Sequence, residues 1–238
     1  MNSPPDHRVI GFDLGETLLT YAETPPSWVT HYPAALSEVA RACGLTIDTA
    51  QRDAAIAILT RYNTRIHPRR DEVPAAILFA EILSAWSADP ARNAPAALTA
   101  FFRHFQQRLQ SYPETVDVLT DLRRRGFRVG ILTDVPYGMP REFVEHDLEQ
   151  GQISAWVDSL LTSVDVGRRK PDPAGFHLLA GRFSVGAGEL WYVGNEQKDI
   201  VGARAAGAIA VLVDRENKNP AWGQHHTIRD LRALPGLL

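Results

Sequence analysis

Five short apolar runs, rich in valine, isoleucine and leucine, constrain the fold of this chain more than any other feature. They are VIGFD (9–13), FRVGILTD (127–134), WVDSLLTS (156–163), LWYVGN (190–195) and AIAVLVD (208–214). Their apolar residues do not alternate with polar ones, which is typical of strands covered on both faces of a parallel sheet. Helical patterns separate the later runs, and one of them begins at Pro113 and ends at Gly126. This strand–helix–strand repetition predicts an α/β fold with a parallel sheet.

The segment from residue 21 to residue 110 has a different pattern. It contains no convincing strand, is rich in alanine, and carries apolar residues at helical spacing. Its helical stretches are YPAALSEVARACGL (32–45), TAQRDAAIAILTRYNTRI (49–66), VPAAILFAEILSAWSA (73–88) and APAALTAFFRHFQQRLQ (94–110). We therefore predict a helical domain at 21–110, inserted into an α/β core made of residues 1–20 and 111–238.

Composition narrows the class of protein. The 238 residues are enough for a core domain with a smaller inserted one, and a net charge of −3 gives no electrostatic case for binding nucleic acid. The single cysteine, Cys43, excludes an internal disulfide. No apolar run approaches about 20 residues, and the first residues lack an apolar signal core. We expect a soluble cytoplasmic protein, monomeric or homodimeric, without a membrane partner.

Polar side chains follow several of the predicted strands. They are Asp13, Thr133, Lys170, Asn195, Glu196 and Asp199. Each of them alone has an ordinary structural explanation, such as a turn, a strand end or the start of a helix. Because ligands of open parallel sheets bind at the carboxyl ends of the strands, their joint occurrence there predicts an active site.

The motifs around these residues resemble those of the haloacid dehalogenase-like hydrolase superfamily. FDLGETL (12–18) is similar to its first motif, ILTD (131–134) to its second, GRRKPDPAGF (167–176) to its third and VGNEQKDIVGARAAGA (193–208) to its fourth. The resemblance covers roughly residues 8–20 and 112–215. It implies a Rossmann-like core, and the insertion between the first two motifs corresponds to a helical cap of the C1 type.

The resemblance also implies catalytic roles. Asp13 corresponds to the nucleophile that forms an aspartyl intermediate, Thr133 to a donor for the transferring group, and Lys170 to the cation beside both. A carboxylate nucleophile divides one difficult displacement into two easier ones, and phosphoryl transfer depends mainly on positioning and on charges aimed at the outer oxygens. The expected substrate is accordingly a small, anionic, phosphorylated molecule.

Mg²⁺ is the cofactor that the resemblance implies. Its expected ligands are Asp13, the carbonyl group of Gly15, Asn195, Glu196 and Asp199. Mg²⁺ prefers a few carboxylate oxygens completed by water, which this set resembles. For substrate contacts we expect Asp134 beside Thr133, and Trp28 and His31 between the cap and the core; packing within the cap is the alternative for the last two. The basic stretch TRYNTRIHPRRDE (60–72) suits an anionic substrate, but a solvated basic face explains it as well.

Two positions depart from the family pattern. A phosphatase of this family usually has a second aspartate two residues after the nucleophile, where this chain has Gly15. General acid–base help of that kind is worth about 10²–10⁴-fold in rate. Glu16 is a candidate replacement, although adjacent loop residues usually point in different directions. Asn195 stands where the fourth motif usually begins with aspartate, so we expect weak Mg²⁺ binding.

Three functions remain open from the sequence. The first is hydrolysis of a phosphate ester whose leaving group needs little protonation. The second is hydrolysis of a carbon–halogen bond, since halide leaves without a proton and the family's dehalogenases also lack the second aspartate; they usually carry a tyrosine at the position of Gly15, which this chain lacks. The third is a non-catalytic core that binds a phosphorylated ligand or a partner protein.

Overall fold

The computed structural model describes residues 8–21, 28–106 and 109–238, and a six-stranded parallel sheet lies at its centre. The strands, in chain order, are β1 (Val9–Phe12), β2 (Leu19–Tyr21), β3 (Leu109–Ser111), β4 (Arg128–Thr133), β5 (Ser159–Thr162), β6 (Leu190–Gly194), β7 (Ile209–Val213) and β8 (His226–Ile228). The sheet order is β5-β4-β1-β6-β7-β8, and β2 pairs with β3 outside it. β1 is central because Val9 lies beside Arg128 of β4 on one side and Leu190 of β6 on the other.

Helices pack on the sheet and form the segment between β2 and β3. They are α1 (Tyr32–Ala42), α2 (Thr49–Tyr62), α3 (Ala75–Ala85), α4 (Pro90–Phe105), α5 (Thr115–Arg124), α6 (Arg141–Gln150), α7 (Ser163–Val166), α8 (Ala174–Arg182) and α9 (Gln197–Ala206). The start of α2 is fixed by a reciprocal cap, in which Asp48 accepts from the Gln51 backbone and Gln51 accepts from the Asp48 backbone. Within the three described ranges, no helix has the length and apolarity needed to cross a membrane.

The predicted parallel α/β fold is confirmed, and each of the five apolar runs contains a strand of the sheet. The third strand is shorter than predicted. Residues Ser154–Trp156 form a 3₁₀ turn, and the Asp158 carboxylate accepts a hydrogen bond from the Val129 backbone at 2.7 Å, so β5 begins only at Ser159. Strand β8 was not predicted, because His226–Ile228 carries no apolar run.

The expectation of a strand-free segment at 21–110 was wrong at its two ends. Leu19 of β2 lies opposite Ser111 of β3, and Tyr21 lies opposite Leu109, so a short antiparallel ribbon closes the insertion. Three residues on each side were too few for a recognisable alternating pattern. The division into a core at 1–20 and 111–238 and a cap at 21–110 stays a prediction, and residues 1–7, 22–27 and 107–108 of these ranges lie outside the described residues.

The helices α1 to α4 pack around a cluster of aromatic rings. Phe101 of α4 is fully buried, and its ring centroid lies 5.1 Å from that of Phe79 in α3 and 5.3 Å from that of Phe102. Edge-to-face pairs of this kind add about 0.5–1.5 kcal/mol each beyond the area that they bury. The alanine-rich helices are therefore held together by a few large side chains.

The segment after α2 is joined to the loop that follows α7. Arg169 donates its backbone N–H to the Arg70 carbonyl at 2.8 Å, and Glu72 donates its N–H to the Gly167 carbonyl at 3.0 Å. The Glu72 side chain is 1% exposed and forms ion pairs with Arg69 and Arg169. These contacts anchor the insertion directly beside the loop that carries Lys170.

We expect Glu72→Gln to lower the free energy of unfolding by about 3 kcal/mol, because removing one charge of a buried pair leaves its partner uncompensated. Urea unfolding monitored by circular dichroism measures the loss. Glu81→Gln is the matched control, since Glu81 pairs with Arg61, whose side chain is 60% exposed. The control should lose less than about 1 kcal/mol. Equal losses in the two variants would show that Glu72 is not a structural anchor.

Candidate active site

The carboxyl edge of the sheet brings three predicted residues together around one ammonium group. Lys170 Nζ donates a hydrogen bond to Asp13 Oδ1 at 2.6 Å and lies 2.6 Å from Asp199 Oδ1. The Lys170 and Asp199 side chains are 2% and 0% exposed. A single buried cation therefore joins the residue that follows β1 to the first turn of α9.

Tyr192 and the end of β4 fix the position of this ammonium group. Lys170 Nζ donates to the Leu132 carbonyl at 3.2 Å and to the Tyr192 hydroxyl at 3.1 Å, and Tyr192 itself donates to the Leu132 carbonyl at 2.6 Å. Together with Asp13, these acceptors use the three N–H donors of the lysine. Burial lowers the pKa of Lys170, but Asp13 and Asp199 outweigh it and keep the amine charged.

Asp13 has a pKa raised to about 6. Burial is the largest cause; Lys170 acts in the opposite direction, the neighbouring Asp199 raises the pKa further, and Lys198 lowers it. The value lies below neutral pH, although Asp13 shares the Lys170 ammonium with a second carboxylate. Asp13 is ionised there, as a nucleophile must be.

Asp199 also shapes the start of α9. Its Oδ2 accepts the backbone N–H groups of Asn195 at 3.1 Å and Glu196 at 2.9 Å, which satisfies donors that a helix start leaves unpaired. The Asn195 Oδ1 accepts from the Thr17 hydroxyl at 3.1 Å. Asp199 thus closes the turn that begins α9, and Asn195 ties this turn to the loop after β1.

The expected Mg²⁺ ligands do not fit a metal ion in this arrangement. Asp199 Oδ1 makes no hydrogen bond within the described residues, but the Lys170 ammonium already lies against it at 2.6 Å. Asp199 Oδ2 and Asn195 Oδ1 are bound as described above. In the described ranges, no three His, Cys, Asp or Glu side chains form a group that could hold a metal. The ligand set of Asp13, Gly15, Asn195, Glu196 and Asp199 stays a prediction.

A second lysine lies among the remaining acids. Lys198 Nζ is 2.7 Å from Glu196 and 3.3 Å from Asp134, and the Asp134 side chain is 3% exposed. Burial alone would raise the pKa of Glu196, but Lys198 and then Arg65 lower it to about 2. Burial likewise opposes the effect of Lys170, Lys198 and Arg169, which hold the pKa of Asp134 below its ordinary value. Both carboxylates are therefore ionised around the Lys198 ammonium.

The position of the missing acid is bordered by an aromatic ring. Gly15 does not have a positive φ, and a Cβ atom there would lie 3.4 Å from the Tyr21 ring. Glu16 has φ +58°, and its carboxylate accepts hydrogen bonds from Tyr112 at 2.7 Å and from Thr20 at 3.3 Å. These bonds hold the Glu16 side chain against the β2–β3 ribbon. Its role as an acid stays a prediction.

Three further predicted residues occupy defined positions. Thr133 is the last residue of β4, is 7% exposed, and lies beside Thr162 of β5. The Trp28 ring stacks on Phe105 with centroids 3.8 Å apart, and the His31 ring meets Phe105 edge to face. These ring contacts agree with the packing alternative; substrate contacts of Trp28 and His31 stay predictions.

Several residues of the site were not predicted from the sequence. Tyr192 lies in the run LWYVGN and Lys198 in the fourth motif. A tyrosine inside an apolar strand and a lysine between two acids were the available signals. Tyr21 donates its hydroxyl to Asp147 Oδ2 at 3.3 Å, and Gln106 donates to Asp147 Oδ1 at 2.7 Å. No local pattern marks Asp147, because its partners come from β2 and from the end of α4.

The sequence and the fold are similar to those of known proteins. The sequence profile of the haloacid dehalogenase-like hydrolases matches residues 7–207. A phosphoserine phosphatase of Thermus thermophilus is 37% identical over 160 residues, 66% of this chain and 62% of that protein. (S)-2-haloacid dehalogenase 1 of Pseudomonas sp. is 29% identical over 133 residues, 55% of this chain and 57% of that protein. The crystal structure of a HAD phosphatase from Thermococcus onnurineus superposes with a TM-score of 0.67, covering 97% of both chains at 23% identity.

These similarities cover only part of the curated relatives. The chain spans 62% of the length of the phosphatase and 57% of the length of the dehalogenase. Proteins with different reactions match over similar shares, so overall similarity does not distinguish the two chemistries. The distinction depends on the residues of the site.

The pKa of Asp147 generates a prediction about stability. Burial raises this pKa from 3.8 to about 7, against the hydrogen bonds from Gln106 and Tyr21, which lower it. Between these two values the folded protein holds a proton that the unfolded chain has released, so stability falls as pH rises from about 4 to about 7. Relative to wild type, we expect Asp147→Asn to gain stability between pH 4.5 and pH 8, by on the order of 3 kcal/mol.

Chemical denaturation at the two pH values measures this difference. Asp117→Asn on α5 is the matched control, because Asp117 is exposed and is not among the groups that shift the pKa of Asp147. It should leave the wild-type dependence on pH unchanged. A stability curve for Asp147→Asn that stays parallel to wild type would refute the buried neutral carboxyl.

Proposed function

We propose that this chain, which belongs to the haloacid dehalogenase-like hydrolase family, hydrolyses a small phosphate monoester with Asp13 as the nucleophile. The observation that carries the proposal is the buried hydrogen bond of 2.6 Å between Lys170 Nζ and Asp13 Oδ1. It holds an ionised carboxylate at the carboxyl end of the central strand, where ligands of this type of sheet bind. The similarity to phosphatases supports the class of substrate.

In the first step, Asp13 attacks the phosphorus atom. Since Lys170 engages Oδ1, we assign the attack to Oδ2. A bond forms between Oδ2 and phosphorus, and the ester bond breaks with its electron pair going to the leaving oxygen. Lys170 keeps the carboxylate oriented, and the Thr133 hydroxyl at the end of β4 is the proposed donor to a phosphoryl oxygen.

In the second step, water attacks the phosphorus of the aspartyl phosphate. The bond to Asp13 breaks, its carboxylate returns, and inorganic phosphate leaves. Overall, ester and water give alcohol and phosphate. Positioning and electrostatic stabilisation carry most of such a reaction. We propose that Asp134, whose side chain is 3% exposed, acts by positioning Lys198 and Arg169 rather than by touching the substrate.

The leaving group is constrained by Gly15. With no side chain at this position, the site lacks the acid that usually protonates the leaving oxygen. We therefore propose a substrate whose leaving oxygen is acidic or carries its own proton donor. The Glu16 carboxylate is the alternative proton source, and its bonds to Tyr112 and Thr20 have to break before it can serve.

Substrate choice belongs, in our proposal, to a cap formed by α1 to α4. Arg65, in the segment after α2, lies 3.3 Å from Glu196 at the start of α9. The contacts of Arg70 and Glu72 with the loop before Lys170 support the same placement. The insertion thus borders the site, and Trp28 and His31 are its proposed substrate contacts.

Cleavage of a carbon–halogen bond is the second candidate. The observation in its favour is the loop after β1, since Gly15 provides no acid and Asn195, not aspartate, accepts the Thr17 hydroxyl. Halide leaves without a proton, so the absence of the acid would cost such a reaction nothing. The third candidate, a non-catalytic binding protein, has to account for the buried Asp13–Lys170 pair.

Release of phosphate from a panel of monoesters, set against release of halide from 2-haloacids, tests the proposal. We expect phosphate from aryl or otherwise activated esters, and loss of at least about 10³-fold of that activity in Asp13→Asn, because the nucleophile is removed. The melting temperature should stay at or above that of wild type, since burial makes the Asp13 charge costly.

The outcomes separate the three candidates. Phosphate release that survives in Asp13→Asn at more than about a tenth of wild type contradicts the covalent role. Halide release without phosphate release selects the dehalogenase. Binding of a phosphorylated ligand with neither activity selects the non-catalytic protein. Asp117→Asn on the surface of α5 is the control for differences between protein preparations, and it should keep full activity.

Restoring the missing acid generates a further prediction. Gly15 has no positive φ, and the nearest neighbour of a new Cβ atom is the Tyr21 ring edge at 3.4 Å, so an aspartate requires only a small shift of a side chain. We expect Gly15→Asp to raise kcat/KM for alkyl phosphates by about 10-fold or more, with a smaller gain for aryl phosphates.

Gly15→Asn is the matched control, because it has the same size and cannot donate an acid proton. The measurement is the ratio of kcat/KM for alkyl over aryl phosphates in the three proteins. If both variants fold and the ratio in Gly15→Asp does not exceed that in Gly15→Asn, the account of the missing acid is wrong.

A further inference from the structure

Lys198 lies beside the active site, and the mechanism described so far assigns it no contact with the substrate. Its side chain is 31% exposed, and its ammonium group lies between two carboxylates, 2.7 Å from Glu196 Oε2 and 3.3 Å from Asp134 Oδ2. Its charge reaches the nucleophile, since Lys198 is one of the groups that lower the pKa of Asp13. Lys198 lies in the sequence between Glu196 and Asp199, two of the acids that were expected to bind Mg²⁺.

A phosphoryl group brings negative charge to a site that already has an excess of it. Asp13 and Asp199 face one ammonium group, that of Lys170. The three N–H donors of Lys170 are directed at Asp13, Leu132 and Tyr192. Lys170 therefore orients the nucleophile and has no donor left for a phosphoryl oxygen. A second cation is needed.

The acids near Asp13 do not offer a place for that cation to be a metal. Both oxygens of Asp199 are covered, one by the Lys170 ammonium and one by the N–H groups that begin α9. Asn195 contributes no charge and is bound by Thr17. Glu196 is taken by Lys198 and Arg65.

We propose that the Lys198 ammonium binds the phosphoryl group and supplies the second positive charge of the site, in place of a divalent metal ion. Lys198 meets two carboxylates and has three N–H donors, so one donor remains for a phosphoryl oxygen. Asp134 and Glu196 hold the ammonium in position, and charge-assisted hydrogen bonds of this type are strong. This inference rests on the phosphate chemistry proposed above and names the group that recognises the phosphate.

Calorimetric titration with inorganic phosphate in the presence of EDTA tests the role of Lys198 without any turnover. We expect wild type to bind phosphate under these conditions and Lys198→Met to bind it at least about 10-fold more weakly, because one charge-assisted hydrogen bond is lost. Lys198→Arg should stay within about 3-fold of wild type, since it keeps the charge. Lys218→Met is the matched control and should not change binding, because the Lys218 side chain is 73% exposed and pairs with Glu216.

A second variant is expected to give opposite results for a lysine cation and for a metal ion. It also does not depend on whether Lys198→Met folds. Glu196→Gln keeps an acceptor oxygen that can hold Lys198 in position but removes the negative charge that competes with phosphate for it, so phosphate binding in EDTA should become tighter. If Glu196 were a metal ligand, the same change would weaken phosphate binding in the presence of Mg²⁺. Phosphate binding by wild type that appears only with Mg²⁺, or equal affinity in Lys198→Met and wild type, overturns the proposal.

The test also separates this inference from the proposed function. Phosphate binding that depends on Lys198, in a protein that hydrolyses no ester of the panel, means that the inference stands and the hydrolase activity fails. Ester hydrolysis lost in Asp13→Asn, together with phosphate binding that is indifferent to Lys198, means the reverse.

Discussion

The shared contact of the Lys170 ammonium with Asp13 and Asp199 is the constraint on which the rest of the site depends. It fixes three separate parts of the chain to one point at the carboxyl edge of the sheet. Tyr192 and the Leu132 carbonyl hold the ammonium from the side of the sheet. Burial raises the pKa of Asp13 to about 6; the Lys170 ammonium opposes this rise, and the second carboxylate, Asp199, adds to it. Burying the Asp13 charge lowers stability, and it yields a carboxylate that is oriented and still ionised at neutral pH.

The sequence was most informative where one physical rule acts over a short stretch. Buried parallel strands require continuous apolar residues, so the five runs predicted the sheet, and the carboxyl ends of those strands predicted the positions of Asp13 and Lys170. Prediction failed where a contact joins distant segments that carry no pattern of their own. Glu72 and Asp147 look like solvated acids in the sequence, and only the fold shows that both are buried.

The β2–β3 ribbon shows the same limit on a smaller scale. Three residues on either side of a long insertion are too few to show alternation, yet their pairing brings the Tyr21 ring next to Gly15 and its hydroxyl to Asp147. The structure thus shows what surrounds the glycine that stands in place of the second carboxylate. Gly15 itself has no positive φ, and an aromatic side chain from the ribbon borders the place where the acid would extend.

Proton and charge requirements, taken together, define what this site can do. A phosphatase needs a proton for its leaving oxygen and positive charge for the phosphoryl group, whereas a dehalogenase needs neither in the same amount. With Gly15 in place of an acid, the loop supplies no proton for the leaving oxygen. This feature by itself would favour carbon–halogen chemistry. Lys198 supports the phosphatase in our proposal, because a second lysine held by Asp134 and Glu196 beside the nucleophile suits a phosphoryl group with several anionic oxygens. We therefore base the proposal of phosphate as the group transferred on the charge beside Asp13 rather than on the acid that is absent from the loop.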